Sequence, residues 1–438
     1  VKQTAQRIFR EALAAIDIPA TIERKLARSG SSIRAGNASI DLRDYKTLVA
    51  IAYGKASYAM AQGLARVLGP EFSPEGILVV PSVPKAELPG WRVFVGGHPL
   101  PNENSFAAGR AILDRLARCD ERTLIFFLIS GGGSSLVEQS LDPAVTLADF
   151  VRLHSALVAC GAPIDEINAI RKHLSATKGG RLAAAAPLSM KLTLAVSDVP
   201  QGQESALASG PTLPDPTTIR DAVRVARDYK LMERFPPSIR LELEAHSLRE
   251  TPKAGDPAFL RSHFVRLLGT HELFHAAHHA CEAEGYLCIC DDATDNWPVE
   301  KAVDYLLAQL AAHANANPNR PVAVLGDGEL SSPVIGNGIG GRNSAFVLAC
   351  VAKIAGKKIT VLSAGTDGID GSSAAAGAVA DGETLARARA ASLDPGEFLR
   401  RCDSSTFFAR LGDTIVTGPT GNNLRDLRIL LAEPVGRT

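Results

Sequence analysis

Residues 124–138 read LIFFLISGGGSSLVE, six apolar residues running into Ser130, three glycines and two more serines. The apolar run is that of a buried strand, and the glycines after it form either a tight turn or a cradle for an oxyanion. Small residues let backbone N–H groups approach such an anion, and a helix is expected to start near Ser134. The Walker pattern is absent, because no Lys–Ser/Thr pair follows the glycines at the required spacing.

Outward from this stretch, short apolar runs alternate with helical patterns. Strands are expected at 47–53, 77–80, 92–95, 124–129 and 192–196, with helix-like stretches such as SYAMAQGLARVL and SFAAGRAILDRLA between them. This alternation predicts an α/β fold with a mainly parallel sheet covered by helices. Pro-bearing and charged segments follow, and the domain boundary is expected near residues 245–262, giving domains 1–250 and 251–438. A second α/β pattern begins at FVRLLG, with strands near 286–290, 322–325, 359–363 and 414–417.

At 438 residues, two domains are the default. Lysine plus arginine and aspartate plus glutamate each total 47, so no global field recruits nucleic acid or an anionic membrane. Anion handling must be local. No apolar run reaches the roughly 18–20 residues of a membrane span. The opening VKQTAQRIFREALAAI reads as an amphipathic helix and not a secretory signal. Seven scattered cysteines fit reduced thiols in a cytoplasm.

In open α/β sheets, ligands collect beyond the carboxyl ends of strands, so the strand-end loops are the places to search. Lys55 in AYGKAS is either a solvated loop charge or a ligand. In EINAIRKHLSATKGGRLA, Asn168, Arg171, Lys172 and Ser175 share one helical face, with Lys178 beyond, as either a solvated face or an anion site. Asp198, ending LTLAVSDVP, suits either a Mg²⁺ ligand or base, or the cap of the next turn. In the second half, Gly336, Gly338 and Gly341 fit G-x-G-x-x-G ahead of a helix from Ser344, with Arg342 beside them. Asp367 and Asp370 after the next strand favour a metal or hydroxyl site over turn chemistry alone. HELFH at 271–275 matches a zinc signature, but the third histidine of its extended form is missing and a solvated histidine face is expected.

LISGGGSSL, EINAIRKHLSATKGGRLA, SDVP with ASGPTLPDPTT, GNGIGGRN, AGTDGIDG and VTGPTGNNLRDLRI occur in this order across nearly the whole chain. Together they resemble the class II glycerate 2-kinases, whose C-terminal MOFRL region corresponds to about 320–432 here. The resemblance implies an N-terminal Rossmann-like domain, a smaller C-terminal α/β domain and an active site in the cleft between them. It also implies ATP-dependent phosphorylation of D-glycerate at its 2-hydroxyl, with a divalent metal and no nucleic-acid or membrane partner. Lys55 and Arg342 match active-site positions of the family. The expected ATP site is Ser130, Gly131, Gly132, Gly133, Ser134 and Ser135 with Lys172 and Lys178. Lys55, Asn168, Arg171, Glu329, Asn343 and Asp370 are expected at glycerate, and Asp198 or Asp367 at Mg²⁺ or as the base. The chain departs from the family pattern at Ala374, Cys402 and Ser405. The competing expectation is an NAD(P)H-dependent hydroxypyruvate reductase, since GNGIGG fits the dinucleotide fingerprint and Asp367 ends the next strand. A third is a non-catalytic sugar-acid binder, to which Ala374 gives weight. Oligomeric state is not legible.

Overall fold

The computed structural model describes residues 1–84, 86–197, 199, 202–245, 247–332, 337–422 and 424–434. They divide into two compact units, 18–269 and 1–17 with 270–438. The units change over after residue 269, beyond the expected 250. The opening helix Lys2–Ala15 belongs with the second unit, and its apolar stripe of Ala5, Ile8, Phe9 and Ala12 is buried.

In unit 18–269, a small antiparallel sheet of β1 (Leu26–Ser29), β2 (Ser32–Ala35) and β3 (Ala38–Asp41) precedes the main sheet. The main strands are β4 (Thr47–Tyr53), β5 (Glu75–Val80), β6 (Trp91–Val95), β7 (Thr123–Ser130), β8 (Met190–Val196) and β9 (Ser262–Leu268). All neighbours pair parallel in the order β6-β5-β4-β7-β8-β9. Counted from β4 this is 3-2-1-4-5-6, the order of dinucleotide-binding folds, with its reversal between β4 and β7. β7 is buried at every residue, which explains its unbroken apolar run. Ile112, Leu116 and Leu182 from flanking helices pack against Ile125, Phe127 and Ile129. Phe150, Leu157, Ile170, Val225 and Ile239 build a second core among the helices between β7 and β9.

In the other unit the strands are β10 (Leu287–Asp291), β11 (Val322–Asp327), β12 (Ile359–Gly365), β13 (Gly377–Asp381), β14 (Thr414–Ile415) and β15 (Asp426–Ala432). Their order is β10-β11-β15-β12-β13-β14. This sheet is mixed, because β15 lies antiparallel to both β11 and β12. The carboxyl ends of β11 and β12 therefore meet the amino end of β15 at one edge. Among the described residues, no helix is long and apolar enough to cross a membrane.

Candidate active site

In unit 18–269, the loops after β4 and β7 flank the point where the strand order reverses, where crevices form in open α/β sheets. They are tied together: Lys55 N–H donates to Gly131 O at 2.9 Å, and Ala56 N–H donates to Ser130 Oγ at 3.0 Å. Ser130 is fully buried, so its hydroxyl acts as a brace between loops and not as an exposed donor. Gly132 has φ +81°, and a Cβ there would lie 3.2 Å from Lys55 Cγ and 3.5 Å from His98 Cε1. His98 Nδ1 is 3.1 Å from Ser135 Oγ. Lys55, His98, Gly132 and Ser135 thus stand around one loop. The Ser134 hydroxyl meets Ser209 Oγ at 2.5 Å, and Ser209 donates to Asn168 Oδ1 at 3.0 Å. Ala208 and Ser209 both hold positive φ, 48° and 60°. Such backbone is rare outside glycine and collects at functional loops. Asp198 lies outside the described residues.

The basic cluster resolves into two buried ion pairs. Lys172 Nζ is 3.0 Å from Asp215 Oδ1, and Lys178 Nζ is 2.7 Å from Glu138 Oε2. Both lysines were expected at ATP; each is 3% exposed or less and paired with a carboxylate of its own unit. They brace the segments behind the glycine loop. Glu138 also accepts from Ser175 Oγ at 2.5 Å. Burial works against its charge, but Lys178 and His154 hold its carboxyl below the ordinary value. Burial also lowers the pKa of Arg171, whose Nε is buried without a hydrogen-bond partner among the described residues.

In the other unit, Arg342 opens the helix Arg342–Ile354. Its Nε meets Asp426 Oδ2 at 2.5 Å, and its terminal nitrogen lies 2.7 Å from Glu329 Oε1. Burial opposes the guanidinium charge, yet Asp426 and Glu329 outweigh it and raise the pKa. A Cβ on Gly365 would lie 3.1 Å from an Asp367 oxygen and 3.3 Å from an Asp426 oxygen, so these two carboxylates flank the end of β12. Asp367 also accepts the Ile369 N–H at 3.0 Å.

Asp370 does something different from what its sequence context suggests. Its carboxylate accepts from Asn343 N at 2.9 Å, Ser344 N at 2.8 Å and Ser344 Oγ at 2.6 Å. It is 1% exposed and caps the start of the helix Arg342–Ile354. Asp370 was expected at glycerate; here its carboxylate is engaged by these three donors. Asn343 is buried as well, its Oδ1 accepting from Ser363 Oγ at 2.6 Å. Gly336 of the G-x-G-x-x-G match lies outside the described residues. A Cβ on Gly341 would meet Asp370 Oδ1 at 2.3 Å, so glycine is required there by the cap itself.

Several residues escaped the sequence reading. Asp426 and Arg428 are buried charges on one face of β15, and Arg428 is fully buried with two guanidinium nitrogens lacking partners among the described residues. Arg425 grips Asp295 through two oxygens at 2.6 and 2.7 Å. Burial, opposed by Arg425 and Arg428, raises Asp327 to about 6. Charges at alternate positions of LRDLRILLA were the available signal, and they made it look unlike a strand. His98, directly after β6, could have been found by the strand-end rule applied elsewhere.

Both the strand-end geometry and the ordered loops can be compared with known proteins. A family described as "Domain of unknown function (DUF4147)" matches residues 4–244, and the MOFRL family matches residues 322–426. A D-glycerate 2-kinase of Thermotoga maritima is 32% identical over 87% of this chain and 90% of its own. The chain belongs to the class II glycerate 2-kinase family. Within it, an Agrobacterium vitis relative named "Putative hydroxypyruvate reductase" is 35% identical over 98% of this chain and 94% of its own. The crystal structure of a Thermotoga maritima glycerate kinase superposes with a TM-score of 0.81 at 29% identity, covering 99% of both chains.

Proposed function

We propose that the chain is a glycerate 2-kinase that transfers the γ-phosphoryl group of ATP to the 2-hydroxyl of D-glycerate, giving 2-phosphoglycerate and ADP. The observation that carries the residue assignment is the pair of tied loops at the reversal point of the parallel sheet. Gly131–Gly133 with Ser134 and Ser135 offer backbone and hydroxyl donors to the nucleotide phosphates, and Lys55 adds a cation beside them. Phosphoryl transfer needs positioning and charge neutralisation more than covalent chemistry, which suits such a set. In the other unit, Arg342, fixed in direction by Asp426 and Glu329, has the planar fork that suits a carboxylate or phosphate group. Its pinning lowers the entropy lost when it engages the substrate.

The oxygens of Asp367 and Asp426 fit a hard cation such as Mg²⁺, which takes one or two carboxylates and otherwise keeps water and phosphate ligands. Bound there, Mg²⁺ would supply charge neutralisation to the phosphates. Asp198 and Asp367 are the two residues proposed for accepting the 2-hydroxyl proton. Asp198→Asn and Asp367→Asn separate them, since removing the base should depress kcat with little change in the Mg²⁺ requirement.

The name carried by the Agrobacterium relative favours a second reading, a nicotinamide-dependent reductase. Against it, the helix start after the dinucleotide-like turn is already occupied by Asp370, where a pyrophosphate would need to sit. The mixed order of that sheet also differs from the all-parallel arrangement of dinucleotide folds. The test is to incubate purified protein with D-glycerate and ATP–Mg²⁺, and separately with hydroxypyruvate and NADH. ADP release dependent on glycerate supports the kinase; NADH oxidation without ADP release overturns it. Glycerate binding with neither reaction would point to the non-catalytic binder.

A further inference from the structure

The helix Thr270–Ala283 and the edge strand β10 hold a cluster that the kinase chemistry does not use. Cys288 and Cys290, two residues apart on β10, project to the same face of the strand. His278 of the helix meets them there. One donor atom from each of the three lies within 4.8 Å of the others. His278 Nδ1 is 3.7 Å from Cys290 Sγ. On the far side of the imidazole, Nε2 is 3.3 Å from Glu282 Oε1. Cys281, fully buried on the same helix, hydrogen-bonds to Cys288 and stands outside the group of three.

The donor set is chemically selective. Two sulfurs and an imidazole nitrogen suit borderline-soft cations, whereas Mg²⁺ and Ca²⁺ require oxygen. For tetrahedral zinc, with bonds of about 2.3 Å to sulfur and 2.05 Å to nitrogen, sulfur–nitrogen separations come to about 3.5 Å. The observed 3.7 Å needs only a slight contraction. A hydrogen bond from Nε2–H to Glu282, at this 3.3 Å separation, would leave the Nδ1 lone pair facing the thiols. This is the carboxylate–histidine–metal relay by which proteins orient a ligating imidazole.

We propose that His278, Cys288 and Cys290 bind a thiolate-preferring divalent cation of the zinc class, with Glu282 orienting the histidine and solvent completing the tetrahedron. Cys290 is exposed, so the fourth position opens outward. Binding displaces the two thiol protons to solvent and leaves both sulfurs as thiolates. A disulfide between Cys288 and Cys290 is disfavoured by geometry. Residues i and i+2 of a strand are about 6.6 Å apart, near the upper limit of about 6.8 Å for a bridge, with Cβ vectors parallel and not convergent. His271 and His275 meet edge to face at a 4.3 Å ring separation further along the helix, where among the described residues no thiol completes a soft set. A cation at His278 would fasten this helix to the sheet's edge strand, whose outer side is otherwise a template for unwanted pairing.

The full-length reduced protein should take up one Co²⁺ with a near-ultraviolet thiolate-to-cobalt band and tetrahedral visible bands, both abolished by equimolar Zn²⁺. Cys288→Ser and Cys290→Ser should each lose the thiolate intensity and weaken zinc binding by at least about tenfold, and Glu282→Gln by about tenfold. Alanine at His271, His275 and His279 together should leave the spectrum unchanged. Zinc should raise the Tm of the wild type and not of the cysteine variants. Where a variant fails to fold, wild-type alkylation decides: zinc should protect two thiols, Cys288 and Cys290, as read by mass spectrometry. The proposal is overturned by absence of the thiolate band, by its survival in both cysteine variants, or by a Cys281–Cys288 disulfide in place of metal uptake.

Discussion

The loop at Gly131–Gly133 and the turn at Gly338–Gly341 look alike on paper, each a glycine-rich link before a helix. Their surroundings differ. The first is backed by buried ion pairs and faced by Lys55 and His98. The second opens on a helix start already closed by the Asp370 carboxylate. A glycine pattern reports that backbone comes close to something; it does not say whether that partner is a ligand or the chain's own side chain. The anion-binding capacity of a helix start is a finite set of N–H donors, and an internal carboxylate uses it up.

The largest expected effect falls on Arg342, beside that helix start in the second unit. Arg342→Ala should lower kcat about 10³-fold, by analogy with transition-state arginines, while the KM for ATP changes little. Arg342→Lys keeps a partner for the buried Asp426 and should fall between, so steady-state kinetics of the pair separates chemistry from folding. A near-normal kcat in Arg342→Ala would remove the residue from the mechanism. Next comes Gly132→Ala, which places a Cβ against Lys55 at a positive φ. A displaced Lys55 should cost about 10²-fold in kcat/KM, with about 1 kcal/mol of stability from the left-handed backbone. Unaltered kinetics would mean that the first loop is as internally satisfied as the second.

Asp370→Ala probes the opposite side of the comparison. It strands buried donors, so urea unfolding should show a loss of about 2–3 kcal/mol, with the KM for ATP unchanged. A large rise in that KM would place nucleotide at the second turn after all. The smallest effect concerns Asp327, whose folded-state pKa is raised from 3.8 to about 6, chiefly by burial. The folded state holds the extra proton across that window, so stability should fall as pH rises from about 4 to about 6, by on the order of 1–2 kcal/mol in all. Asp327→Asn should flatten this slope in thermal melts.

Legibility followed chemistry. β4 and β7 were readable because parallel strands buried on both faces are written as unbroken apolar runs. β15 was not, because Asp426 and Arg428 sit inside it, and the pairing of Asp426 with Arg342 and of Arg428 with the Asp327 and Gly328 carbonyls is a tertiary fact. β1 to β3 were missed for a different reason: LARSGSSIRAGNASID alternates over runs of only four residues and resembles a polar loop. The place of Lys55 and Gly131–Gly133 in the loops after β4 and β7 was legible from the strands before them, whereas Arg342 opens a helix. Spacing alone does not reveal that Lys172 pairs with Asp215 and Lys178 with Glu138. Ser209 and His98 act through folded loops whose partners lie 75 and 37 residues away along the chain.

The membership of Lys2–Ala15 in the unit that resumes at Thr270 has a consequence for synthesis. The helix leaves the ribosome well before β12 and β15, against which it packs, exist. At about 5–20 residues per second, its apolar stripe waits on the order of tens of seconds for its partners. The segment 18–269, contiguous in sequence, can fold during that wait. The unit begun first is thus the last to be completed, and a nascent chain stalled before residue 270 would carry an unburied Ile8–Phe9 face, with neither the helix Thr270–Ala283 nor β12 and β15 yet made.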